Sequence, residues 1–183
     1  DYNVGIGDNA LTANTEGADN TAVGYGALDA NTSASYNTAM GKNALGATAA
    51  EGNTGIGRQA LSTNSSGTDN TAVGKGSLQS NSTANNNTAV GKNSLFQNTT
   101  GNNTALGEAA LQANTTGTSN TASGYRVLYA NTIGDYNTGT GHGALRYNVT
   151  GDYNTANGQK ALYNSGKVQT AGAFVTGAIY TIQ

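Results

Sequence analysis

The feature that most constrains the fold is a repeat of about 17 residues that runs through nearly the whole chain. Each unit begins with an asparagine, and the steps between units are 17 residues, except for two steps of 16 after Asn37 and Asn87. A period of this length is typical of a solenoid, in which each unit forms one coil and stacks on its neighbours. Coils 1 to 10 begin, in order, at Asn3, Asn20, Asn37, Asn53, Asn70, Asn87, Asn103, Asn120, Asn137 and Asn154.

The positions of the unit predict how each coil is built. The first is always Asn, the fifth Gly and the ninth Leu, while the third is Ala or Gly and the twelfth is Asn except for Thr48 and Ser165. The opening Asn-Thr-Ala-Val is a short β segment, Gly permits the turn that follows, and a later Asn-Thr-x-Gly is turn chemistry. We expect a second short strand or turn at Ala-Leu, and Asn ladders between coils. The pattern predicts an all-β protein, a β-solenoid or parallel β-roll of ten coils.

Composition limits the classes of partner. The chain has 27 Gly, no Pro, no Cys and only 10% charged residues, which differs from the Pro-, Glu- and Lys-rich composition of disordered chains. A net charge of −2 with scattered Lys and Arg gives no basic stripe for nucleic acid. No apolar run approaches the roughly 20 residues that span a bilayer. We therefore expect no nucleic-acid partner and no membrane insertion.

The sequence offers no constellation for catalysis. His142 is the only histidine and lies between two glycines, and no close pair of acidic residues recurs at a fixed position. The repeated Gly-x-Gly lacks the surroundings of a dinucleotide-binding fingerprint. We expect a protein that is not an enzyme and that has no catalytic, cofactor or metal site.

Two sets of residues are candidates for binding. Tyr36, Tyr136 and Tyr153 each precede a starting asparagine, where they either contact a receptor or glycan or simply cover a corner of the coil. The fourth position is apolar from Ile6 to Leu106 and then polar. Its polar members are interpreted either as relaxed packing or as a polar axial layer that holds water or an ion between chains: Ser123, Thr140 and Asn157.

Each unit supplies only two large apolar side chains, at the fourth and ninth positions, which is a thin core for one free-standing chain. Packing of several chains around a shared axis would bury the remaining apolar edge. We expect a homotrimer, either intertwined or side by side.

The segment 20–28 (NTAVGYGAL), followed by Asn31 and Thr32, resembles repeats of phage tail fibres and of surface proteins of marine bacteria. It is similar in kind to the head repeats of trimeric autotransporter adhesins. The resemblance covers the predicted shaft, residues 1–170, and implies a left-handed, trimeric parallel β-roll on a virion or cell surface. Residues 171–183 depart from the repeat and resemble the start of a separate β segment found in phage structural proteins.

These observations favour the shaft of a virion tail fibre that spaces and displays receptor-binding elements. Its expected partners are its own copies, other fibre or baseplate proteins, and a glycan or protein of the host surface. A bacterial surface adhesin head is the first alternative. An ice-binding solenoid is the second, because Thr recurs at the second position, although the unit lacks the Thr-x-Thr pairs that favour ice binding.

Overall fold

A computed structural model describes residues 2–164 and 175–176 of the chain. Every coil contributes one three-residue strand, and the strands form one parallel sheet in chain order. The pairing joins equivalent positions of adjacent coils, for example Thr71 with Thr88. The predicted β-solenoid is therefore confirmed. Its strands are β1 (Val4–Ile6), β2 (Thr21–Val23), β3 (Thr38–Met40), β4 (Thr54–Ile56), β5 (Thr71–Val73), β6 (Thr88–Val90), β7 (Thr104–Leu106), β8 (Thr121–Ser123), β9 (Thr138–Thr140), β10 (Thr155–Asn157) and β11 (Val175–Thr176).

Strand β11 extends the sheet beyond the last coil. Ala156 pairs with Val175 and Asn157 with Thr176, in the same parallel sense as the strands before them. The other residues of the segment 171–183, predicted as a separate β segment, lie outside the described residues.

The Ala-Leu segment, predicted as a second short strand or a turn, is a turn in the described coils. Its invariant Leu has a left-handed backbone, as at Leu78 with φ of 48°. The residue two places earlier is also left-handed in every coil. Alternate peptide units therefore face opposite neighbours: Asn93 N–H donates to Lys75 O of the preceding coil, whereas Leu95 N–H donates to Ala110 O of the following coil. The turn side satisfies its backbone groups without a second sheet.

The pleat of the strand separates the two apolar columns of the repeat. Side chains alternate across a strand, so the third position points into the coil and the second and fourth point outward. Ala72 and Leu78 are fully buried, whereas Val90, at the fourth position, is 39% exposed. The ninth-position leucines thus form the interior, and the fourth-position residues lie on the outer face.

Asparagines fill the rest of the interior. At the first position, the Oδ1 atom of Asn20 accepts the backbone N–H of Asn37 at 3.0 Å, and its Nδ2 donates to Ala34 O at 2.9 Å. The same link from Oδ1 to the next backbone N–H continues without a break from Asn3 to Asn154. The predicted Asn ladder is confirmed here, with a backbone N–H as the donor between coils.

In the ladder at the twelfth position, a side chain is both the donor and the acceptor of each hydrogen bond between coils. This ladder is interrupted before each short coil. Asn31 Nδ2 donates to Asn14 Oδ1 at 2.8 Å. In the first short coil Thr48 replaces Asn, and it accepts from Asn64 Nδ2 at 3.2 Å. In the second, Asn98 Nδ2 turns to Thr100 O, which leaves Asn81 Oδ1 buried without a partner.

Each short coil has one residue fewer than the others, and the missing residue is in the corner that follows the twelfth position. Met40 pairs with Ile56, and Val90 pairs with Leu106, so the strands stay in register across both deletions. The expected loss from a corner is confirmed. The deletion instead disrupts the adjacent twelfth-position Asn ladder, which loses one hydrogen bond before each short coil.

Candidate binding surface

The outer face of the sheet changes character between coils 7 and 8. The fourth-position side chains of coils 1 to 7 are large and apolar, and several are well exposed, such as Ile6 at 60% and Met40 at 42%. Strand β7 ends the series, and its Leu106 pairs with Ser123 of strand β8. We call the seven apolar residues the apolar strip: Ile6, Val23, Met40, Ile56, Val73, Val90 and Leu106.

The predicted polar layer continues this strip. Ser123 pairs with Thr140, and Thr140 pairs with Asn157, so the three side chains form one column on the outer face. Ser123 is half-buried, and Thr140 and Asn157 are exposed. They lie outside the coil, where another chain, water or an ion can reach them. A layer between chains stays a prediction.

The structure brings together two of the three candidate tyrosines. Tyr136 and Tyr153 occupy the same corner in successive coils, and their rings stack with centroids 5.0 Å apart and planes 5° apart. Tyr36 lies at the equivalent corner, 66% exposed, but Asp19 and Gly52 hold that position in the adjacent coils. The pair offers a continuous aromatic surface, and Tyr36 stands alone.

A second aromatic surface lies on the turn side of coils 8 to 10 and was missed by sequence reasoning. Positions six, seven, ten and eleven of these coils place tyrosines, arginines, one lysine and the histidine beside one another. We call this set the tyrosine–arginine cluster: Tyr125, Arg126, Tyr129, His142, Arg146, Tyr147, Lys160 and Tyr163.

Arg146 is the centre of this cluster. Its Cζ atom lies 5.7 Å from the ring centroid of Tyr129 in the preceding coil and 5.6 Å from that of Tyr163 in the following coil. Its Nη1 donates to the Tyr163 hydroxyl at 2.8 Å. A guanidinium within about 6 Å of ring centroids gains cation–π attraction, and contacts with both neighbouring coils restrict its side-chain freedom.

Arg126, one coil earlier and at the seventh position, lies close to two tyrosine rings of its own coil. Its Cζ atom lies 5.0 Å from the Tyr125 centroid and 5.4 Å from the Tyr129 centroid. Tyr125 also stacks on His142, with centroids 5.2 Å apart. Rings and cations therefore alternate across coils 8 to 10.

The cluster carries positive charge that the described part of the chain does not neutralise. Across residues 2–164, the single salt bridge joins Lys92 and Glu108, at 3.3 Å. The Nε atoms of Arg126 and Arg146 are buried without a hydrogen-bond partner. The cluster can thus attract an anion through its outer nitrogen atoms.

The signal for this cluster was positional. Four of the ten tyrosines, two of the three arginines and the only histidine belong to the cluster between Tyr125 and Tyr163. Sequence reasoning followed the tyrosines that precede a starting asparagine and did not align the sixth, seventh and tenth positions of successive coils. That alignment would have shown the cluster.

The described residues contain no group of three His, Cys, Asp or Glu side chains that could hold a metal ion. Among those residues, no helix is long and apolar enough to cross a membrane. Comparisons of the chain with protein families, with curated proteins and with solved structures gave no match.

Proposed function

We propose that this chain is the structural shaft of a phage tail fibre, which spaces and displays elements that bind the host receptor. The observation that carries the proposal is the apolar strip on the outer face of a regular, in-register solenoid. Such a fold is a rod in which each coil contacts only its neighbours, and that suits a spacer. The strip is the surface through which the rod assembles.

The assembly we propose is a parallel homotrimer. An extended row of exposed apolar residues marks an interaction site rather than an ordinary surface. Three copies around one axis place each strip against the other two and close the assembly, as homo-oligomers usually do. The polar column of Ser123, Thr140 and Asn157 then lies on the same axis, as a layer that accepts water or an ion.

The proposed location is the virion, with other fibre or baseplate proteins at the ends of the shaft and a glycan or protein of the host surface as receptor. A bacterial adhesin head would use the same rod and the same trimer. Gold-labelled antibodies against this chain, applied to a culture of the source, distinguish the two. Label on tail fibres supports the proposal, and label on the cell envelope alone supports the adhesin.

One observation favours the ice-binding alternative. The second-position threonines form an in-register column beside the apolar strip on the outer face, as in Thr71 and Thr88. Only coil 9 adds a second outward threonine on the same strand, with Thr138 and Thr140. Ice binding needs this face in water, whereas the trimer covers it. Thermal hysteresis of the purified chain supports the alternative, and its absence removes it.

A further inference from the structure

We infer that the tyrosine–arginine cluster binds an acidic polysaccharide, by pairing the carboxylates of its sugar units with Arg126, Arg146 and Lys160. The inference rests on the proposed function, since it names the class of receptor that the shaft displays. It concerns the turn side of coils 8 to 10, not the sheet face that carries the apolar strip.

The positive charges of the cluster favour an anionic ligand. The cluster contains two arginines and one lysine, and its own positions contain no carboxylate. Arginine is the side chain best suited to a carboxylate, because its planar fork forms two parallel hydrogen bonds. Cation–π contacts and the hydrogen bond to Tyr163 hold Arg146 in place before any ligand arrives, which lowers the entropy lost on binding.

The hydroxyl groups favour a sugar. Tyr163 OH accepts a hydrogen bond from Arg146, so its own hydrogen stays available to a ligand oxygen. Tyr125 and Tyr147 are 37% and 41% exposed, which leaves part of each ring open to the apolar face of a sugar. Acid-binding and hydroxyl-binding groups therefore lie side by side, as an acidic saccharide requires.

The spacing favours a polymer. The cluster spans three coils, and successive coils of a parallel sheet are about 4.8 Å apart. Arg126 and Lys160 occupy the seventh position of coils 8 and 10, and Arg146 occupies the tenth position of the coil between them, so the three cations form a staggered band along the turn side. An extended polysaccharide with an acid group on each unit can contact the whole band.

Single-stranded nucleic acid is the less favoured ligand. Its binding platforms stack bases on open aromatic faces within a strongly basic groove. Here guanidinium groups lie over Tyr129 and Tyr163, and the chain has a net charge of −2.

The test measures binding of the intact chain to polygalacturonate by isothermal titration calorimetry at low salt. Neutral dextran, heparin and oligothymidylate serve as comparison ligands. The chain should bind polygalacturonate, should bind dextran at least roughly tenfold more weakly, and should lose affinity as salt rises. Tighter binding of heparin would assign the site to sulfate and overturn the pairing with carboxylates. Tighter binding of oligothymidylate would assign the site to nucleic acid and overturn the inference as a whole.

The matched variants are Arg146→Gln and Arg58→Gln, which remove the same charge inside and outside the cluster. Arg58 lies in coil 4 and is exposed. Arg146→Gln should weaken polygalacturonate binding roughly tenfold or more, while Arg58→Gln should bind like the parent chain. Circular dichroism checks that both variants fold. Equal binding by the two variants overturns the inference, and a trimeric shaft that binds no polygalacturonate overturns it while leaving the proposed function intact.

Discussion

Asn70 Oδ1 lies 3.0 Å from the backbone nitrogen of Asn87, and Asn70 Nδ2 lies 2.8 Å from Ala84 O. The buried side-chain amide of Asn70 thus joins coil 5 to coil 6 and also holds the last corner of coil 5. Asn70→Ala should lower the free energy of unfolding by about 2–4 kcal/mol, because it leaves a buried N–H and a buried carbonyl without these partners. Gln97→Ala removes an exposed amide on the turn side and should change stability by less than about 0.5 kcal/mol. Urea unfolding measures both, and equal losses would show that the ladder does not stabilise the coil.

The invariant glycine is tested by Gly91→Val. Gly91 has φ of 130°, and a Cβ atom there would lie 2.5 Å from Gly107 O. Valine cannot adopt this backbone, and the next coil blocks its side chain, so the variant should misfold or unfold at a much lower temperature. Lys92→Val is the control, because it removes only an exposed salt bridge worth about 0–1 kcal/mol. Similar melting temperatures for the two variants would contradict this geometry.

The left-handed leucine predicts an unusual order of stabilities. Leu78→Ala should cost about 2–5 kcal/mol through the cavity it leaves. Leu78→Gly should be as stable as Leu78→Ala or more so, because glycine adopts a φ of 48° without the steric cost that alanine has. Ala72→Gly, in strand β5, should instead destabilise the chain in the ordinary way. Thermal melts that place Leu78→Gly well below Leu78→Ala would refute the left-handed turn.

The stacked tyrosines predict an energetic coupling. A double-mutant cycle with Tyr136→Ser and Tyr153→Ser should show a coupling of about 0.5 kcal/mol or more in unfolding free energy. Tyr36 lies several coils away, so Tyr36→Ser and Tyr153→Ser should be additive. A cycle with no coupling between Tyr136 and Tyr153 would mean that the rings do not stack in solution.

The period of the sequence predicted the stacking, the register and the Asn ladders, because each depends on identical residues meeting one coil apart. It could not decide whether the Ala-Leu segment was a strand or a turn. Leucine is rarely left-handed, so nothing in its identity indicated the backbone of Leu78. The hydrogen bonds of the turn side depend on that backbone and were equally hidden.

The binding surface was predicted in part. The residues that precede a starting asparagine indicated Tyr136 and Tyr153, and their contact follows from the period alone. The cluster around Arg146 joins different positions of three coils, and its contacts depend on side-chain directions that the repeat does not give. A further example is Val127, larger than the usual Ala or Ser, which fits because the next coil has Gly139 opposite it, where a Cβ atom would lie 2.5 Å from Val127.

The role of the apolar strip is tested by Val90→Lys, with Gln97→Lys as the matched control on the turn side of the same coil. Both side chains are exposed in the single chain, so neither change should unfold the coil. If the strip is the interface, Val90→Lys places three like charges in an apolar contact and should dissociate the assembly. Gln97→Lys adds the same charge away from the strip and should leave the assembly intact. If the parent chain and Val90→Lys have the same mass in solution, the apolar strip is not the surface through which the chains assemble.

The most direct measurement is the mass of the chain in solution by multi-angle light scattering, with circular dichroism of the same sample. The account predicts a β-rich particle of about three times the 18.3 kDa of one chain. A folded, β-rich chain of 18.3 kDa would contradict the trimeric shaft.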